Sequence, residues 1–429
     1  MATFLGMKLL LTLLLALPAL LAAQSTTYLH CGRLFDGEAD ALLTEQTIVV
    51  TDGKITSVEN GYRTAPDSAR TVDLRDRTVM PGLIDLHVHI ESESSPTRYL
   101  ESFTLDPADV ALRATGYCRR TLEAGFTTVR DLGGTGVNVS LRNAINRGDI
   151  VGPRIYTAEK AIATTGGHAD PSNGRNRELT FDAGPAAGVI NSADEAYKAV
   201  RTRYKNGADC IKITATGGVL SVAKDGSGPQ FTQEELNAIV AAAKDYGMHT
   251  AAHAHGTEGM KRAVLAGITT IEHGSLMDEE VMDLMVERGT YYVPTLSAGR
   301  FVAEKAKIPG FYPAIIVPKA LSIGRELQAT FEKAYARGVK VAFGTDTGVS
   351  PHGDNAKEFI YLVEAGVPPL AAIRSATVTA AEVLGRAEDL GRIRPGYVAD
   401  IVAVPGNPAD DISTMTAVDF VMKEGKIVE

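Results

Sequence analysis

Cysteine is scarce in this chain, which has only Cys31, Cys118 and Cys210 among 429 residues. An odd and widely spaced set of this kind predicts neither a disulfide framework nor a cysteine-based metal site. A basic stripe interleaved with aromatic residues is also missing, and the formal net charge is -9 at pH 7. Because nucleic acids need clustered Lys and Arg for their phosphates, the sequence argues against a nucleic-acid partner.

One targeting signal stands out, near the start of the chain. Lys8 precedes an apolar run over residues 9–21, which ends in Ala22-Ala23-Gln24. This order is typical of a secretory signal peptide over residues 1–23, and the run is too short to favour a membrane span. We therefore expect a secreted or periplasmic protein that has no stable membrane span after cleavage near Gln24. An uncleaved membrane anchor is the alternative.

The overall composition is that of a soluble globular protein, with 45% apolar residues, 22% charged residues and a mean hydropathy near zero. Residues 28–58 form short alternating runs separated by turn signals, which predict small antiparallel strands. The same texture returns in residues 399–428, where Lys423-Glu424-Gly425 predicts a hairpin turn. We expect one small sheet domain built from both ends of the chain.

The middle of the chain alternates strand-like apolar runs with longer amphipathic helical patterns, as parallel α/β folds do. The candidate strands are 82–87, 127–131, 155–158, 210–214, 250–255, 270–273, 292–295 and 341–346. The candidate helices between them are 107–124, 193–206, 232–246, 257–266, 278–288 and 320–337. A glycine follows each helix, as a left-handed C-terminal cap requires, and a strand then begins. Eight strands with intervening helices over about three hundred residues predict a (β/α)8 barrel.

Ionisable residues recur at the ends of these strands, which is where barrels assemble their active sites. His87 and His89 alternate along an extended segment, so both can face one metal ion. Lys212 interrupts an apolar strand, where an unpaired ammonium is costly to bury. His253, His273 and Asp346 end three further strands. Each residue alone has an ordinary reading as a rim, core or capping residue, but the ordered series favours a site.

At this point a family resemblance can be stated on particular motifs. The segment from Val79 to His89 (VMPGLIDLHVH), Gly125 to Asp131 (GFTTVRD), Thr345-Asp346 and Gly391 to Val402 together resemble the amidohydrolase superfamily. The match covers nearly the whole mature chain. Lys212, Gly217-Gly218, His253-Ala254-His255-Gly256 and Glu272-His273-Gly274 resemble its prolidase-like and imidazolonepropionase-related branch. With His89-Ile90-Glu91-Ser92, they are most similar to the ochratoxin-hydrolysing amidohydrolases.

The resemblance implies a distorted (β/α)8 TIM barrel over residues 81–389 and a small β-sandwich from residues 24–80 and 390–429. It also implies two divalent metal ions, with zinc favoured, bridged by Lys212 carboxylated on its amine. His87, His89 and Asp346 would hold one ion, and His253 and His273 the other. Self-association into a homo-oligomer is common among barrel members of this superfamily.

The implied reaction is metal-dependent amide hydrolysis, in which Asp346 takes a proton from water and returns it to the leaving nitrogen. His255 would help hold the substrate or the developing oxyanion, although a supporting hydrogen-bond role is equally open. Two glycine-rich loops and a third loop after Asp346 supply the other candidate substrate contacts. These contacts are His168, Gly217, Gly218, Val219, Leu220 and His352.

The expected substrate is an N-acyl amino acid or dipeptide-like amide with a hydrophobic C-terminal residue. Ochratoxin A, cleaved to ochratoxin alpha and phenylalanine, comes first on the strength of the resemblance. A prolidase-like Xaa-Pro dipeptidase or a cyclic-amide hydrolase is the alternative within the enzyme class. A barrel that has lost catalysis and acts as a binding or assembly protein is the alternative outside it.

Overall fold

The computed structural model describes residues 26–176, 178, 180–222 and 226–429. The predicted signal peptide over residues 1–23 therefore lies outside the described residues. Within them, no helix is long and apolar enough to cross a membrane.

Strands and helices alternate through the middle of the chain, and strands dominate both ends. The strands are β1 Thr26–Leu34, β2 Leu43–Thr51, β3 Lys54–Asn60, β4 Arg70–Pro81, β5 Leu83–Val88, β6 Phe126–Asp131, β7 Arg154–Thr157, β8 Ala163–Thr164, β9 Val189–Ile190, β10 Ile211–Thr214, β11 Thr250–Ala254, β12 Thr270–His273, β13 Tyr291–Val293, β14 Ile401–Pro405, β15 Phe420–Lys423 and β16 Lys426–Ile427. The α-helices are α1 Arg98–Thr104, α2 Pro107–Glu123, α3 Val137–Arg147, α4 Ala193–Lys205, α5 Gln233–Asp245, α6 Thr257–Ala266, α7 Glu279–Arg288, α8 Leu296–Lys305, α9 Val317–Ala336, α10 Lys357–Glu364, α11 Pro369–Ser375 and α12 Val378–Val383. A short 3-10 helix spans Ile412–Ala417.

The two ends of the chain meet in one seven-stranded sheet, in the order β16-β15-β14-β4-β1-β2-β3. The two parts join where β14 pairs antiparallel with β4, with Val402 opposite Met80. The predicted turn at 423–425 links β15 to β16, and Glu424 and Gly425 both have positive φ there. The strands thus come together from both ends as the sequence predicts. They form one hydrogen-bonded sheet, and the second sheet of a β-sandwich is not found at the described ends of the chain.

The middle of the chain contains a parallel pair, β8-β9, and two larger parallel sheets, β5-β6-β7 and β10-β11-β12-β13. Every residue of β5, β6, β10, β11 and β12 is buried, as expected for parallel strands covered on both faces. The seven strands of the two larger sheets match seven of the eight that the sequence predicts. The fold is therefore a mixed α/β fold with parallel sheets.

The eighth predicted strand, residues 341–346, is not a regular strand, so the closed barrel expected from the sequence is not confirmed. Its backbone bonds irregularly to both neighbours. Ala342 N donates to Tyr292 O at 2.9 Å, while Leu86 N donates to Phe343 O at 3.0 Å and Asp346 N donates to His87 O at 2.7 Å. At the other gap, Ile162 N donates to Lys212 O at 2.8 Å. Scattered bonds of this kind keep the strands in order around an incomplete ring, although no continuous ladder of hydrogen bonds joins the two sheets.

The helices pack around the parallel sheets, and their ends follow local rules. Thr232 begins α5 with a capping box, in which its hydroxyl accepts Glu235 N while the Glu235 carboxylate accepts Thr232 N at 2.8 Å. Each of the six glycines predicted to follow a helix has a positive φ, between 66° and 92°. That conformation is favourable for glycine and ends the helix so that the chain can enter the next strand.

A buried ion pair joins the parallel sheets to the terminal sheet. Arg154 in β7 lies 2.6 Å from Asp400 and 2.7 Å from Glu424, measured from guanidinium nitrogen to carboxylate oxygen. Asp400 is only 7% exposed. Removing Arg154 would therefore leave a carboxylate buried without its main counter-charge.

We expect Arg154→Met to lower the free energy of unfolding by about 3 kcal/mol, as loss of one partner of a buried pair does. Arg147→Met is the matched control, because the Arg147–Asp149 pair is exposed and contributes at most about 1 kcal/mol. Urea unfolding of both variants measures the difference. Equal stability of the two variants would contradict a structural role for the Arg154 pair.

Candidate active site

Six ionisable side chains predicted as metal ligands meet in one cavity at the carboxyl ends of the parallel strands. The cavity has a volume of about 410 Å³. His87 and His273 lie on β5 and β12, Lys212 and His253 on β10 and β11, and His89 and Asp346 lie just beyond strand or strand-like segments. The six cavity-lining residues are His87, His89, Lys212, His253, His273 and Asp346.

His87, His89 and Asp346 form the tightest group. Nε2 of His87 lies 3.5 Å from Oδ1 of Asp346, and Nε2 of His89 lies 3.3 Å from the same oxygen. The Nδ1 atoms are occupied elsewhere, His87 Nδ1 at 2.8 Å from Glu272 and His89 Nδ1 at 2.7 Å from Gly133 O. Each imidazole therefore keeps Nε2 for a ligand, with its orientation set by the bond at Nδ1.

The second pair of imidazoles lies directly beside this group. The ring centroids of His253 and His273 are 4.7 Å apart, and those of His87 and His273 are 5.0 Å apart. His273 Nδ1 is 2.7 Å from the hydroxyl of Thr295, and His253 Nε2 is 3.2 Å from Gly217 O.

Backbone strain is concentrated at this rim. Asp346, His273 and Thr295 have φ values of 57°, 70° and 53°, a left-handed conformation that non-glycine residues rarely adopt. His273 ends β12, Thr295 follows β13, and Asp346 ends residues 341–346, so the three residues lie on neighbouring segments. Strain of this kind persists only where surrounding contacts hold it, and it clusters at functional sites.

Burial determines the charge state of the cavity. It lowers the pKa of His87 to about 4 and those of His253 and His273 well below the ordinary value, so these rings are neutral. Burial also lowers the pKa of the Lys212 ammonium to about 8. Burial raises the pKa of Asp346, but its favourable electrostatic interactions with His87, His89 and Lys212 outweigh burial and lower the pKa to about 2. Burial lowers the pKa of His89, but the Asp346 carboxylate outweighs it and raises that pKa above its ordinary value. The cavity thus contains an ionised carboxylate, three neutral imidazoles, and a fourth imidazole whose protonation Asp346 favours.

This donor set fits a divalent metal ion. Neutral imidazole and carboxylate are ligands that zinc and similar ions accept. The ligand atoms of His87, His89 and Asp346 lie within 4.8 Å of one another. Oδ1 of Asp346 is buried and has no hydrogen-bond partner among the described residues. An orphaned buried carboxylate oxygen between two imidazoles indicates a place for a cation.

Predicted substrate contacts divide into those that reach the cavity and those that support it. His168, His255, Val219 and Leu220 line the cavity. His255 Nδ1 is 2.8 Å from the hydroxyl of Ser275, which leaves Nε2 for another partner.

The His168 ring stacks on His253 at 4.3 Å, and its Nδ1 is buried with no partner in the described part of the chain. Gly217 and Gly218 do not line the cavity but lie behind it. A β-carbon at Gly218 would lie 2.2 Å from the His168 ring, so only glycine allows this approach.

His352 lies outside the cavity, contrary to the prediction of a substrate contact. Its Nε2 is 2.9 Å from Ser92 O and its Nδ1 is 3.2 Å from the hydroxyl of Thr121. The ring also stacks on Tyr117 with centroids 4.8 Å apart. With both nitrogens engaged, His352 joins two loops and has no atom left for a substrate.

A buried ion pair beneath the cavity was not singled out from the sequence. Arg130 Nη2 lies 2.9 Å from Glu272 Oε1, and the other carboxylate oxygen of Glu272 holds His87. Burial raises the pKa of Glu272, but Arg130 and His87 outweigh it and lower it to about 2. Both are charged residues within fully buried strands, and a charge in a buried strand is the signal that singled out Lys212.

A second buried carboxylate supports His273 from a distance. Glu358 in α10 accepts Leu296 N at 2.8 Å and Ser297 N at 2.7 Å, the first amides of α8. Thr295, which holds His273, immediately precedes these residues. Burial raises the pKa of Glu358 from 4.5 to about 7.

Because that pKa is higher in the folded state, Glu358 contributes stability below about pH 4.5 that is lost as the pH rises through about 7. We expect Glu358→Gln to remove this part of the pH dependence. The unfolding free energy of metal-free protein, measured from pH 5 to pH 8, should therefore fall less steeply in the variant than in the wild type. Glu364→Gln, an exposed change on the same helix, is the control. Identical slopes in wild type and Glu358→Gln would contradict the assignment.

The fold and the site together define a class of enzyme. Residues 78–428 match the model of the Amidohydrolase family, and the chain belongs to this family. It is therefore a hydrolase that acts on amide bonds, and its His/His/Asp group is consistent with the family's dependence on metals.

Particular relatives refine this picture. Ochratoxinase from Aspergillus niger is 33% identical over 425 residues, covering 94% of this chain and 86% of the relative. A crystal structure of a Xaa-Pro dipeptidase with methionine bound in the active site is 52% identical, with a TM-score of 0.92 and coverage of 94% of this chain and 100% of that one. A prolidase complexed with N-methylphosphonate-L-proline is 33% identical, with a TM-score of 0.87 and coverage of 94% and 100%.

Proposed function

We propose that the protein is a two-metal dipeptidase that also hydrolyses N-acyl amino acids, cleaving the amide bond before a C-terminal residue. The observation that carries this proposal is the convergence of His87, His89 and Asp346, with one carboxylate oxygen left without a hydrogen bond. His253 and His273 beside them supply ligands for a second ion, and Lys212 lines the same cavity.

Lys212 is proposed to be carboxylated and to bridge the two ions. Its pKa of about 8 keeps an appreciable fraction of the amine neutral near neutral pH, and only the neutral amine reacts with carbon dioxide. Carboxylation also removes a buried cation from a cavity of neutral imidazoles. Divalent ions bound here would polarise the substrate carbonyl and lower the pKa of a water molecule.

Asp346 is proposed as the residue that moves the proton. Its low pKa keeps it ionised at neutral pH, so that it can accept a proton from the attacking water. The same carboxyl can then donate that proton to the leaving nitrogen. Nε2 of His87 and Nε2 of His89 lie 3.5 and 3.3 Å from its Oδ1, so the carboxylate faces the same space as the two imidazoles.

The leaving amino acid is proposed to lie at the ends of β7, β10 and β11. His255 and His168 reach the cavity from this side, and each has a ring nitrogen with no protein partner assigned to it. Val219 and Leu220 follow β10 and offer apolar contact to a hydrophobic side chain. These groups suit a hydrophobic residue with a free carboxylate.

The comparisons change the order of the candidate substrates. Sequence motifs alone ranked ochratoxin A first, but 52% identity to a Xaa-Pro dipeptidase supports dipeptides ahead of it. The methionine bound in that relative supports a hydrophobic C-terminal residue here. Ochratoxin A is the second candidate, because ochratoxinase is 33% identical over 94% of this chain.

Asp346→Asn and Lys212→Ala should each lower kcat for dipeptide hydrolysis by at least about 10³-fold, because each removes a group the reaction needs. Circular dichroism should show an unchanged fold. Asp354→Asn, an exposed change on the neighbouring loop, should keep the rate within about 3-fold. A near-normal rate in either of the first two variants would refute the mechanism.

A substrate panel ranks the candidates. We expect kcat/KM to be highest for dipeptides that end in proline or in a hydrophobic residue such as methionine, and lower for ochratoxin A. Cyclic amides are included to test the alternative that the protein is a cyclic-amide hydrolase. Hydrolysis of cyclic amides alone would contradict the proposal, and a protein that cleaves none of these would favour a binding role.

We also propose that the protein is exported, on the basis of residues 1–23 alone. N-terminal sequencing of the exported protein is expected to begin near Gln24. A mature chain that still begins at Met1 would contradict it.

A further inference from the structure

The cavity walls differ in chemistry on two sides. Apolar residues of α8 and α9 line one part, including Val302, Ile323 and Leu327. The segment between β5 and α2 lines another part with polar groups, among them Ser94, Ser95, Arg98 and Ser102. A substrate with an apolar body and a polar tip would match this division.

Tyr312 carries a hydroxyl that the enzyme's own fold does not satisfy. The residue lies between α8 and α9, lines the cavity and is 9% exposed. Its hydroxyl is buried and has no hydrogen-bond partner among the residues described. Leaving a buried hydroxyl unpaired is unfavourable, and such groups in native proteins call for an explanation. A ligand oxygen in the cavity supplies one.

Arg98 lines the same cavity as Tyr312. Burial raises the pKa of Tyr312 to about 12, and the positive charge of Arg98 opposes that rise. Arg98 bonds to the hydroxyl of Ser94 at 3.4 Å, and in the described part of the chain it has no ion pair with a carboxylate. The next residue, Tyr99, donates its hydroxyl to Leu220 O at 3.1 Å, which ties α1 to the loop after β10.

The order of strands around the ring separates these two residues from the proposed carboxylate contacts. Arg98 follows β5, and Tyr312 lies between β13 and residues 340–347. Residues 340–347 bridge to both β13 and β5, so the two side chains come from neighbouring parts of the ring. His255 follows β11, which lies across the ring from β5. A substrate whose amide sits at the metal ligands and whose carboxylate meets His255 would direct its acyl group towards Arg98.

We infer that Arg98 and Tyr312 form an acyl-side subsite that binds an oxygen acceptor, either a carbonyl or an anionic oxygen, on the acyl group of the substrate. This inference rests on the proposed function. The apolar body of the acyl group packs against α8 and α9, while its oxygen accepts hydrogen bonds from the guanidinium and the phenol. Among N-acyl amino acids, the subsite therefore favours those whose acyl group carries a second oxygen.

Three amides of methionine test the subsite, because they share the leaving group and differ only in the acyl part. N-succinyl-methionine presents a carboxylate, N-pentanoyl-methionine presents an apolar chain of similar length, and alanyl-methionine presents an ammonium. We expect the wild-type full chain, loaded with zinc, to have a higher kcat/KM for the succinyl substrate than for the pentanoyl substrate, with alanyl-methionine as the reference dipeptide.

Tyr312→Phe and Arg98→Gln should lower kcat/KM for the succinyl substrate by roughly 10- to 100-fold, the usual effect of losing a hydrogen bond to a charged group. The pentanoyl and alanyl substrates should change by less than about 3-fold, because neither presents an acyl oxygen to these two residues. Arg113→Gln, which removes an exposed arginine paired with Glu101, is the matched control. An equal fall for succinyl and pentanoyl substrates, or no fall for either, would overturn the subsite.

Calorimetric binding of the same three compounds separates failure of the subsite from failure of the proposed function. If the wild type hydrolyses none of them, the proposed reaction is wrong, but tighter binding of the succinyl compound, lost in Tyr312→Phe, would still support the subsite. Equal dissociation constants for the succinyl and pentanoyl compounds in the wild type would overturn it, whether or not either compound is cleaved.

Discussion

The structure depends on the burial of ionisable groups together at one end of the parallel strands. An unpaired charge in a protein interior is strongly unfavourable, so the groups must neutralise, pair or bind a metal ion. His253 and His273 respond by staying neutral, and Lys212 by a lowered pKa. Asp346 keeps its charge while one of its oxygens has no hydrogen bond among the described residues. A bound cation resolves that imbalance, and the proposed chemistry follows from it.

A second layer of buried groups holds the first in place. Glu272 fixes the ring of His87 and is itself held by Arg130. Asp85 accepts the amide of His87 at 3.0 Å and the hydroxyl of Thr345 at 2.6 Å, which ties β5 to the segment that carries Asp346. Burial raises the pKa of Asp85 to about 6, a sign of how little water reaches this layer. The strained backbones at the rim persist because these contacts over-determine them.

The sequence predicted the strands and the convergence of the six candidate ligands in one cavity well, because both depend on local pattern. A buried parallel strand appears as an apolar run, and a side chain at its end must face the rim, so His87, Lys212 and His253 could be placed without coordinates. Residues 341–346 look like such a run, yet irregularly spaced hydrogen bonds to two neighbours replace a continuous ladder there. That difference depends on distant strands and has no local signal.

Loops were harder to predict, for the same physical reason. His352 looked available because it follows Asp346 closely, but the loop turns its ring onto Tyr117 and Ser92 instead. Short helices such as α1 and α10 were not predicted, since their patterns are too brief to show a period. The nearness of Arg98 and Tyr312 could not be predicted either, because more than two hundred residues separate them in the chain.

The metal content of the purified protein tests the central claim most directly. Elemental analysis of the wild-type chain, expressed with zinc and carbon dioxide present, should find two divalent ions per chain. Fewer than one ion per chain would show that the convergent histidines and Asp346 do not form a metal centre, and the proposed hydrolysis would lose its physical basis.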